Sequence, residues 1–497
     1  MTPTINHANS GDNSRPNTHT LRKHMRRIDR LHFVGIGGSG MNGIAEVMIN
    51  LGYTVTGSDM KVSANTQRLI DLGAEVFIGH SSDNVKAADV VVRSTAIADD
   101  NPEIIAAHAN HTPIVSRAEM LAEIMRYRFG IAVSGTHGKT TTTSILSSLL
   151  GDAGLDPTFV IGGILNRAGT SASLGQSEYL IAEADESDAS FLHLTPMITI
   201  VSNIDADHLE TYGGDFKVYR KTFIEFLQRM PFYGLAVVCL DDPEVKKILS
   251  DIGRPVLTYG STPDCDIYAE NIRAEGLCMH FDAVIKDKAG NSERYPFTLN
   301  MPGRHNVLNA LSCIAVAHEI GVEMADIQRG ISNFSGVGRR FTAKGHLHKD
   351  GTDIPVFEDY GHHPRELAAV LDAAKAAFPD KDIMGVFQPH RFSRTRDLFD
   401  DFAEVLAKFD KLVLTRVFAA GEDHIPDADG RALSRAIRAR GQAEPVFVKA
   451  LADVGPQVRA IACENDVILV MGAGSIGQVA GELTQLTDTN KKTDNNA

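Results

Sequence analysis

The chain lacks any apolar run long enough to span a bilayer, and membrane insertion is therefore not expected. Residues 1–12 are mostly polar and hold no apolar core of the secretory type. Residues 22–30 are basic, but the stretch is short and leads straight into a strand, so it reads as a surface helix. Cysteine is scarce. Cys239, Cys265, Cys278, Cys313 and Cys463 form no C-x-x-C pair, which argues against a zinc ribbon or a disulfide framework. Reduced thiols in a cytoplasmic protein are the expectation. Positive charge is also short, with 49 Lys and Arg against 63 Asp and Glu and a net −14. That balance excludes a general nucleic-acid binder, which needs a basic footprint. It leaves small anionic ligands open, because a few local groups are enough to hold a phosphate.

At 497 residues the chain exceeds one ordinary core. Three successive segments alternate short apolar strands with helices, the pattern of parallel sheets with right-handed crossovers. The fold class expected is therefore α/β in three domains, spanning 30–128, 129–336 and 337–483. A flexible lead-in (1–29) and a polar, disordered tail (484–497) flank them. In the first segment strands are expected at 31–36, 54–57, 75–78 and 89–93. In the second they fall at 131–134, 179–184, 197–201 and 235–240, followed by a turn-rich stretch (256–299) that reads as a β-rich flap. In the third they fall at 355–357, 383–387, 411–417, 445–448 and 466–471.

The chemistry-bearing residues cluster at the ends of these strands, where open α/β sheets bind ligands. Residues 35–40 read GIGGSG between a strand and a helix. Gly37, Gly38, Ser39 and Gly40 there suit the close approach of a diphosphate to a helix N-terminus. Asp59 ends the next strand, where an acid can meet ribose hydroxyls. A tight turn without ligand is the competing reading. A second such pattern, GAGSIG at 472–477, has no acid-bearing strand after it and reads as a structural turn.

The sharpest local signal is GTHGKTT at 135–141, again between strand and helix. Lys139 can neutralise phosphate charge, and the Thr140 hydroxyl can ligate Mg²⁺. Val133 stands where the usual phosphate loop has its first glycine, so this loop is shorter. Glu183, Asp185, Glu186 and Asp188 follow the next strand and repel one another unless a cation lies near. DADH at 205–208 ends on His208, a candidate ligand for a second cation. Further on, His305, Asn306 and Asn309 open an apolar helix, where asparagine also serves as an ordinary cap. Arg339 and Arg340 mark the entry to the third segment. The clusters DYGHHP (359–364) and QPHRFSRT (388–395) sit at two of its strand ends.

Taken in order, GTHGKTTTT, EADESD, DADH, GRHNVLN, GRRF, DYGHHP and QPHRFSRT resemble the Mur ligases, a family that joins amino acids or peptides to a UDP-sugar. The resemblance runs from about residue 30 to 479. It implies a Rossmann-like first domain for the UDP-sugar, a central P-loop ATPase-like domain with a mostly parallel sheet, and a Rossmann-like third domain that closes over ATP and supplies the amino-acid site. Within the family the motifs look most like the branch that adds L-alanine to UDP-N-acetylmuramate. ATP and Mg²⁺ are then the implied cofactors. The lactyl carboxylate takes the γ-phosphoryl group of ATP, and the amine displaces phosphate.

By resemblance, Lys139 stabilises the transferring phosphoryl group within a nucleotide loop of Gly135, Thr136, His137, Gly138, Thr140 and Thr141. Thr140, Glu183 and His208 hold metal, with Glu186 an alternative to Glu183. His305, Asn306 and Asn309 contact the adenine side, and Arg340 and Asp359 reach ATP on closure. His362, His390, Arg391 and Arg394 address the substrates, and Asp59, His80 and Ser94 the uridine and diphosphate side. A relative that ligates a whole murein tripeptide remains the nearest alternative. An NAD-dependent oxidoreductase, built on residues 35–40, is the alternative from another class. Oligomeric state is not legible.

Overall fold

The computed structural model describes residues 25, 27–166, 169–441 and 443–485, with residue 39 described by its backbone alone. Most of the expected lead-in lies outside the described residues, as does nearly all of the tail, but residues 25 and 27–30 of the basic stretch are described and form a bend, a turn and the start of the first strand, not the expected surface helix. Among the described residues no helix is long and apolar enough to cross a membrane.

Three sheets follow one another along the chain. The first holds β1 (Arg30–Val34), β2 (Thr54–Asp59), β3 (Glu75–Ile78), β4 (Val90–Arg93) and β5 (Ile114–Ser116). Its order is β3-β2-β1-β4-β5, all parallel. The strand order reverses beside β1, so the glycine loop after β1 opens on the crevice where ligands of such sheets bind.

The second sheet has ten strands. In chain order they are β6 (Phe129–Ser134), β7 (Thr158–Leu165), β8 (Thr170–Ser173), β9 (Tyr179–Glu183), β10 (Ile198–Val201), β11 (Leu235–Cys239), β12 (Val256–Gly260), β13 (Ile267–Glu275), β14 (Cys278–Lys286) and β15 (Ser292–Leu299). The spatial order is β15-β14-β13-β12-β11-β10-β6-β9-β7-β8. The turn-rich stretch read as a β-rich flap on this domain is β-rich, and its strands continue the central sheet. β12 pairs in parallel with β11, and β13 to β15 extend it as an antiparallel meander. Its less regular look in the sequence follows from alternating exposure, because one face of β13 to β15 is solvated.

The third sheet contains β16 (Thr342–Lys349), β17 (Thr352–Asp359), β18 (Asp382–Phe387), β19 (Lys411–Thr415), β20 (Val446–Val448) and β21 (Asp466–Met471), ordered β16-β17-β21-β18-β19-β20. It is parallel apart from the hairpin of β16 and β17. All six residues of the central β21 are buried.

The first and second sheets share one apolar cluster, from Leu31 and Phe33 through Met48 to Val160, Ala172 and Phe223. Helix Ser39–Asn50 lies on β7 and β8 so closely that a Cβ on Gly43 would stand 3.0 Å from that of Ala172. The third sheet has its own cores on its two faces. Its contact with the rest includes several ion pairs, and that seam holds the candidate site.

Candidate active site

Register brings the motif loops together. Ser134 of β6 pairs with Val201 of β10, and Val133 pairs with Glu183 of β9. The phosphate loop therefore emerges in the middle, with the acidic loop on one side and the Asp205–His208 loop on the other. On the third sheet Asp359 pairs with Met471 and Met471 with Phe387, so DYGHHP and QPHR leave one edge flanking the 472–477 turn. That turn is fastened to its own sheet. Arg339 pairs with Glu358 at 2.8 Å and donates to the carbonyl of Gly472 at 2.7 Å, while Gln388 accepts from the Ile476 N–H.

Gly138 caps the phosphate-loop helix (Lys139–Asp152) with φ 87, and no side chain caps that end. The first N–H groups of the helix are left for an anion. Lys139 Nζ lies 2.7 Å from the Gly135 carbonyl, 3.1 Å from that of Thr136 and 2.8 Å from Glu186. Burial opposes its charge, but Glu186, Asp185 and Glu183 outweigh burial and hold its pKa above the ordinary lysine value. Lys139 is thus the cation that the acidic loop required. Glu186 is engaged with Lys139, whereas Glu183 accepts from the Gly162 N–H at 2.7 Å. Burial pushes the Glu183 carboxyl above its usual range, against Gly162, Lys139 and the Thr140 side chain. A buried carboxylate beside a threonine hydroxyl is an oxygen donor set that suits magnesium. Burial also lowers the pKa of His208, which keeps its imidazole available as a ligand.

Two cavities flank this centre. One of about 320 Å³ is lined by Gly38, Gly40, Ser94, Arg117, Glu183 and Asp185, among others, and joins the first sheet's glycine loop to the acidic loop. Arg117, which motif reading passed over, lies over Gly40 and 3.5 Å from Asp185. Neither Asp59 nor His80 lines this cavity. Asp59 instead accepts from the Gly37 N–H at 3.0 Å and shapes the loop from below. His80 turns into a buried network, 3.1 Å from Glu103, which also accepts from Ser58 and Asn84.

The second cavity, about 130 Å³, is lined by Gly138, Thr141, His305, Asn306, Asn309, Arg340 and Asp359, with His137 and Glu366 at its wall. Asn306 donates to the Pro302 carbonyl and Asn309 to Asn306, so neither acts as the helix cap; Gly303 fills that position. Burial and Arg340 push the His305 imidazole down to about 4. Asp359 accepts from the Phe341 and Gly361 N–H groups, and burial raises its carboxyl against the pull of Arg340.

A third cavity of about 280 Å³ lies between Asp207 and His208 of the central sheet's loop and Arg391 and Arg394 of the third. Arg394 pairs with Asp207 at 3.3 Å. His390 stacks on Phe418 and stands 5.8 Å, ring to ring, from His362. The structure thus brings the third segment's motif residues against the nucleotide loop's neighbours. It also adds Asp205, Asp207, Arg365 and Glu366 to that seam. His137, Asp205 and His363 offer donor atoms within 4.8 Å of one another. Burial opposes protonation of His137, yet hydrogen bonds to Asp205 and Glu366 push its pKa up to about 9. A protonated imidazole pairs with carboxylates and does not ligate metal.

Fold and site together define a three-domain α/β enzyme with a phosphate-loop-like turn, and with a separate crevice beside the first sheet's glycine loop. Domain models of the Mur ligases match in chain order: "Mur ligase family, catalytic domain" at 30–129, "Mur ligase middle domain" at 133–317 and "Mur ligase, glutamate ligase domain" at 339–474. The chain belongs to the Mur ligase family. It is 56% identical over 466 residues to the UDP-N-acetylmuramate–L-alanine ligase of Dichelobacter nodosus, covering 94% of this chain and 97% of that one. It is equally 56% identical to the enzyme of that name from Chromobacterium violaceum, over 93% and 99% of the two chains. The solved UDP-N-acetylmuramate-alanine ligase of Thermotoga maritima superposes with a TM-score of 0.76 at 31% identity, covering 92% of this chain and 98% of that one. A murein peptide ligase from Psychrobacter arcticus shares the fold, with a TM-score of 0.66 at 24% identity over 92% and 99%.

Proposed function

We propose that this protein joins L-alanine to the lactyl carboxylate of UDP-N-acetylmuramate, using ATP and releasing ADP and phosphate. The observation that carries the reading is the position of Lys139, Thr140 and Glu183 between two cavities. One runs back to the glycine loop of the first sheet, and the other is walled by His305, Asn306, Asn309 and Arg340. A sugar-nucleotide carboxylate and the γ-phosphate of ATP meet there. The choice of alanine rests on the relatives that are 56% identical over nearly the whole chain.

The UDP diphosphate lies along Gly37, Gly38, Ser39 and Gly40 with Arg117 above it, and Ser94 borders the same cavity. ATP phosphates take the free N–H groups after Gly138, and Lys139 turns from Glu186 to the γ-phosphoryl group. Thr140 and Glu183 would hold one magnesium ion and His208 would help hold a second, and the metal would supply charge neutralisation for the transferring phosphoryl group. A carboxylate oxygen of the sugar attacks the γ-phosphorus, the bond to the bridging oxygen breaks, and ADP leaves. The free amine of alanine then attacks the acyl carbon. The tetrahedral intermediate gives up a proton and phosphate and closes to the amide. Arg391, Arg394 and His390 hold the alanine carboxylate at the third sheet's edge. The protein's contribution is positioning and charge stabilisation. Closure of the third domain keeps water from the acyl phosphate.

The test is phosphate release from ATP and Mg²⁺ with UDP-N-acetylmuramate, offering each standard amino acid and the murein tripeptide singly. Release that requires the sugar nucleotide and is strongest with L-alanine is expected. Release with the tripeptide alone moves the chain to the peptide-ligating branch. No release with any pairing ends the ligase reading.

A further inference from the structure

We infer that His137 of the phosphate loop and Glu366 of the third domain form a closure latch, so that docking of the third domain sets the loop that positions the transferring phosphoryl group. The inference rests on the ligase reading above and assigns both as positioning residues, not as nucleotide ligands.

The ring of His137 has no nitrogen left for a nucleotide. Nε2 lies 2.9 Å from Asp205 Oδ2 and Nδ1 lies 3.4 Å from Glu366 Oε1. Its backbone is engaged as well. The N–H donates to Asn203 Oδ1 at 2.8 Å, and the carbonyl accepts from Ser202 and Asn203 at 2.9 Å each. His137 is thus fastened to the loop after β10 on one side, and on the other it meets Glu366 and the His363 ring of the third domain.

Glu366 is presented rigidly. It stands in the first turn of helix Pro364–Ala377, where its Oε2 accepts from the N–H groups of His362 at 2.9 Å and His363 at 3.1 Å. Those bonds close a capping box and leave Oε1 facing His137. Two contacts brace the pair. Arg365 lies 3.2 Å from Asp205, and the His363 ring lies 4.8 Å from that of His137. The carboxylate that draws the third domain in is therefore held by the same turn that carries DYGHHP.

The consequence is coupling. His137 directly precedes Gly138, whose left-handed conformation aims the helix N-terminus, and Lys139 follows. When the third domain is away, His137 keeps Asp205 alone, and the loop loses its outward restraint. When it docks, Glu366 fixes the loop from the acceptor side. Phosphoryl transfer is then best organised only when the alanine site is in place, which limits loss of the acyl phosphate to water.

The experiment uses the full chain with His137→Gln, Glu366→Gln and the double variant, after thermal melts establish that each is folded. Glu366→Asp, which keeps the charge but shortens its reach, serves as the second variant. Two readouts are taken: steady-state phosphate release with ATP, UDP-N-acetylmuramate and L-alanine, and compaction on adding ATP-γ-S and sugar nucleotide, followed by small-angle X-ray scattering. Each single variant is expected to lose kcat/KM for ATP on the order of tenfold together with compaction, and the double variant to be no worse than either single. KM for the sugar nucleotide, bound on the first sheet, should hold. Losses that multiply in the double variant overturn the latch, as does a Glu366→Gln chain that compacts and turns over like wild type. A wild-type chain with no alanine-dependent release removes the ligase reading, while the scattering series still decides the latch.

Discussion

At the scale of single residues the acidic loop and Lys139 are one unit. Replacing Lys139 with Met removes the donor aimed at developing phosphoryl charge, and kcat should fall by roughly 10²–10³-fold. The same change leaves Glu186 buried without its counter-charge, so stability should fall as well, by about 3 kcal/mol. Adding Glu186→Gln to Lys139→Met should restore the denaturation midpoint and leave kcat low. A midpoint that stays low with both changes would show that the charge pair is not what Lys139 contributes to the fold.

Glu103 is the matching case in the first domain. Its carboxylate is fully buried, and burial alone would raise its pKa, but His32, Ser58 and Asn84 outweigh burial and bring it down to about 2 from 4.5. A depressed carboxylate stabilises the fold above its unfolded pKa and loses that contribution as pH falls through the folded value. The difference corresponds to about 3 kcal/mol at neutral pH. Glu103→Gln should therefore lower stability at pH 7 and narrow the gap to wild type between pH 4.5 and 2. Urea titrations at three pH values would show it, and a gap independent of pH would remove the charge from the account.

At the scale of elements, the turn before the phosphate-loop helix depends on Gly138. Its φ of 87 lies in the left-handed region, and a Cβ there would stand 2.8 Å from Asn309 Oδ1. Gly138→Ala should cost about 1–2 kcal/mol in strain and weaken nucleotide binding more than that, because Asn309 must move with the loop. Isothermal titration with ADP against the thermal midpoint separates the two losses. Equal losses would mean the turn is only structural.

The same scale decides what was legible before the fold was known. β1, β6, β9, β10 and β21 are apolar runs buried on both faces, and such runs announce themselves. β7 is interrupted by Gly162 and Gly163, β8 reads Thr-Ser-Ala-Ser, and β16 is an edge strand with most residues exposed. β8 and β16 carry no apolar pattern, and the apolar run of β7 at 159–161 is cut short by its glycines; none of the three was expected. The motif loops were legible because their residues are local to one strand end. Asp207 meets Arg394 across 187 positions, and nothing local to either announces the pair. For Glu366 a signal existed, because His363, Pro364 and Glu366 spell a capped helix start. Even so, the partner of its free oxygen depends on how the third domain docks.

At the scale of the whole molecule, several ion pairs join the third domain to the rest. Arg394 pairs with Asp207, Arg365 with Asp205, and Glu366 with His137. Two of these pairs keep their charges across the working range, since guanidinium does not titrate there. Burial opposes the charge on Asp207, but Arg394 leads the groups that bring its carboxyl down to about 2. His137 differs, with a pKa raised to about 9 by Asp205 and Glu366 against burial, and with His363 facing it as a neutral ring. A raised histidine contributes its full stabilisation below its unfolded value, near 6.5, and loses it as pH climbs through about 9. The closed arrangement should therefore loosen between pH 7 and 9.5 while each domain stays folded. In small-angle scattering the radius of gyration of the nucleotide-bound chain should rise over that interval with circular dichroism unchanged. In His137→Gln the rise should be absent, because the variant has no proton to lose at that position. A rise of the same size in the variant would place the titrating group elsewhere in the seam, and a flat wild-type curve would mean that the arginine pairs hold the domains closed without His137.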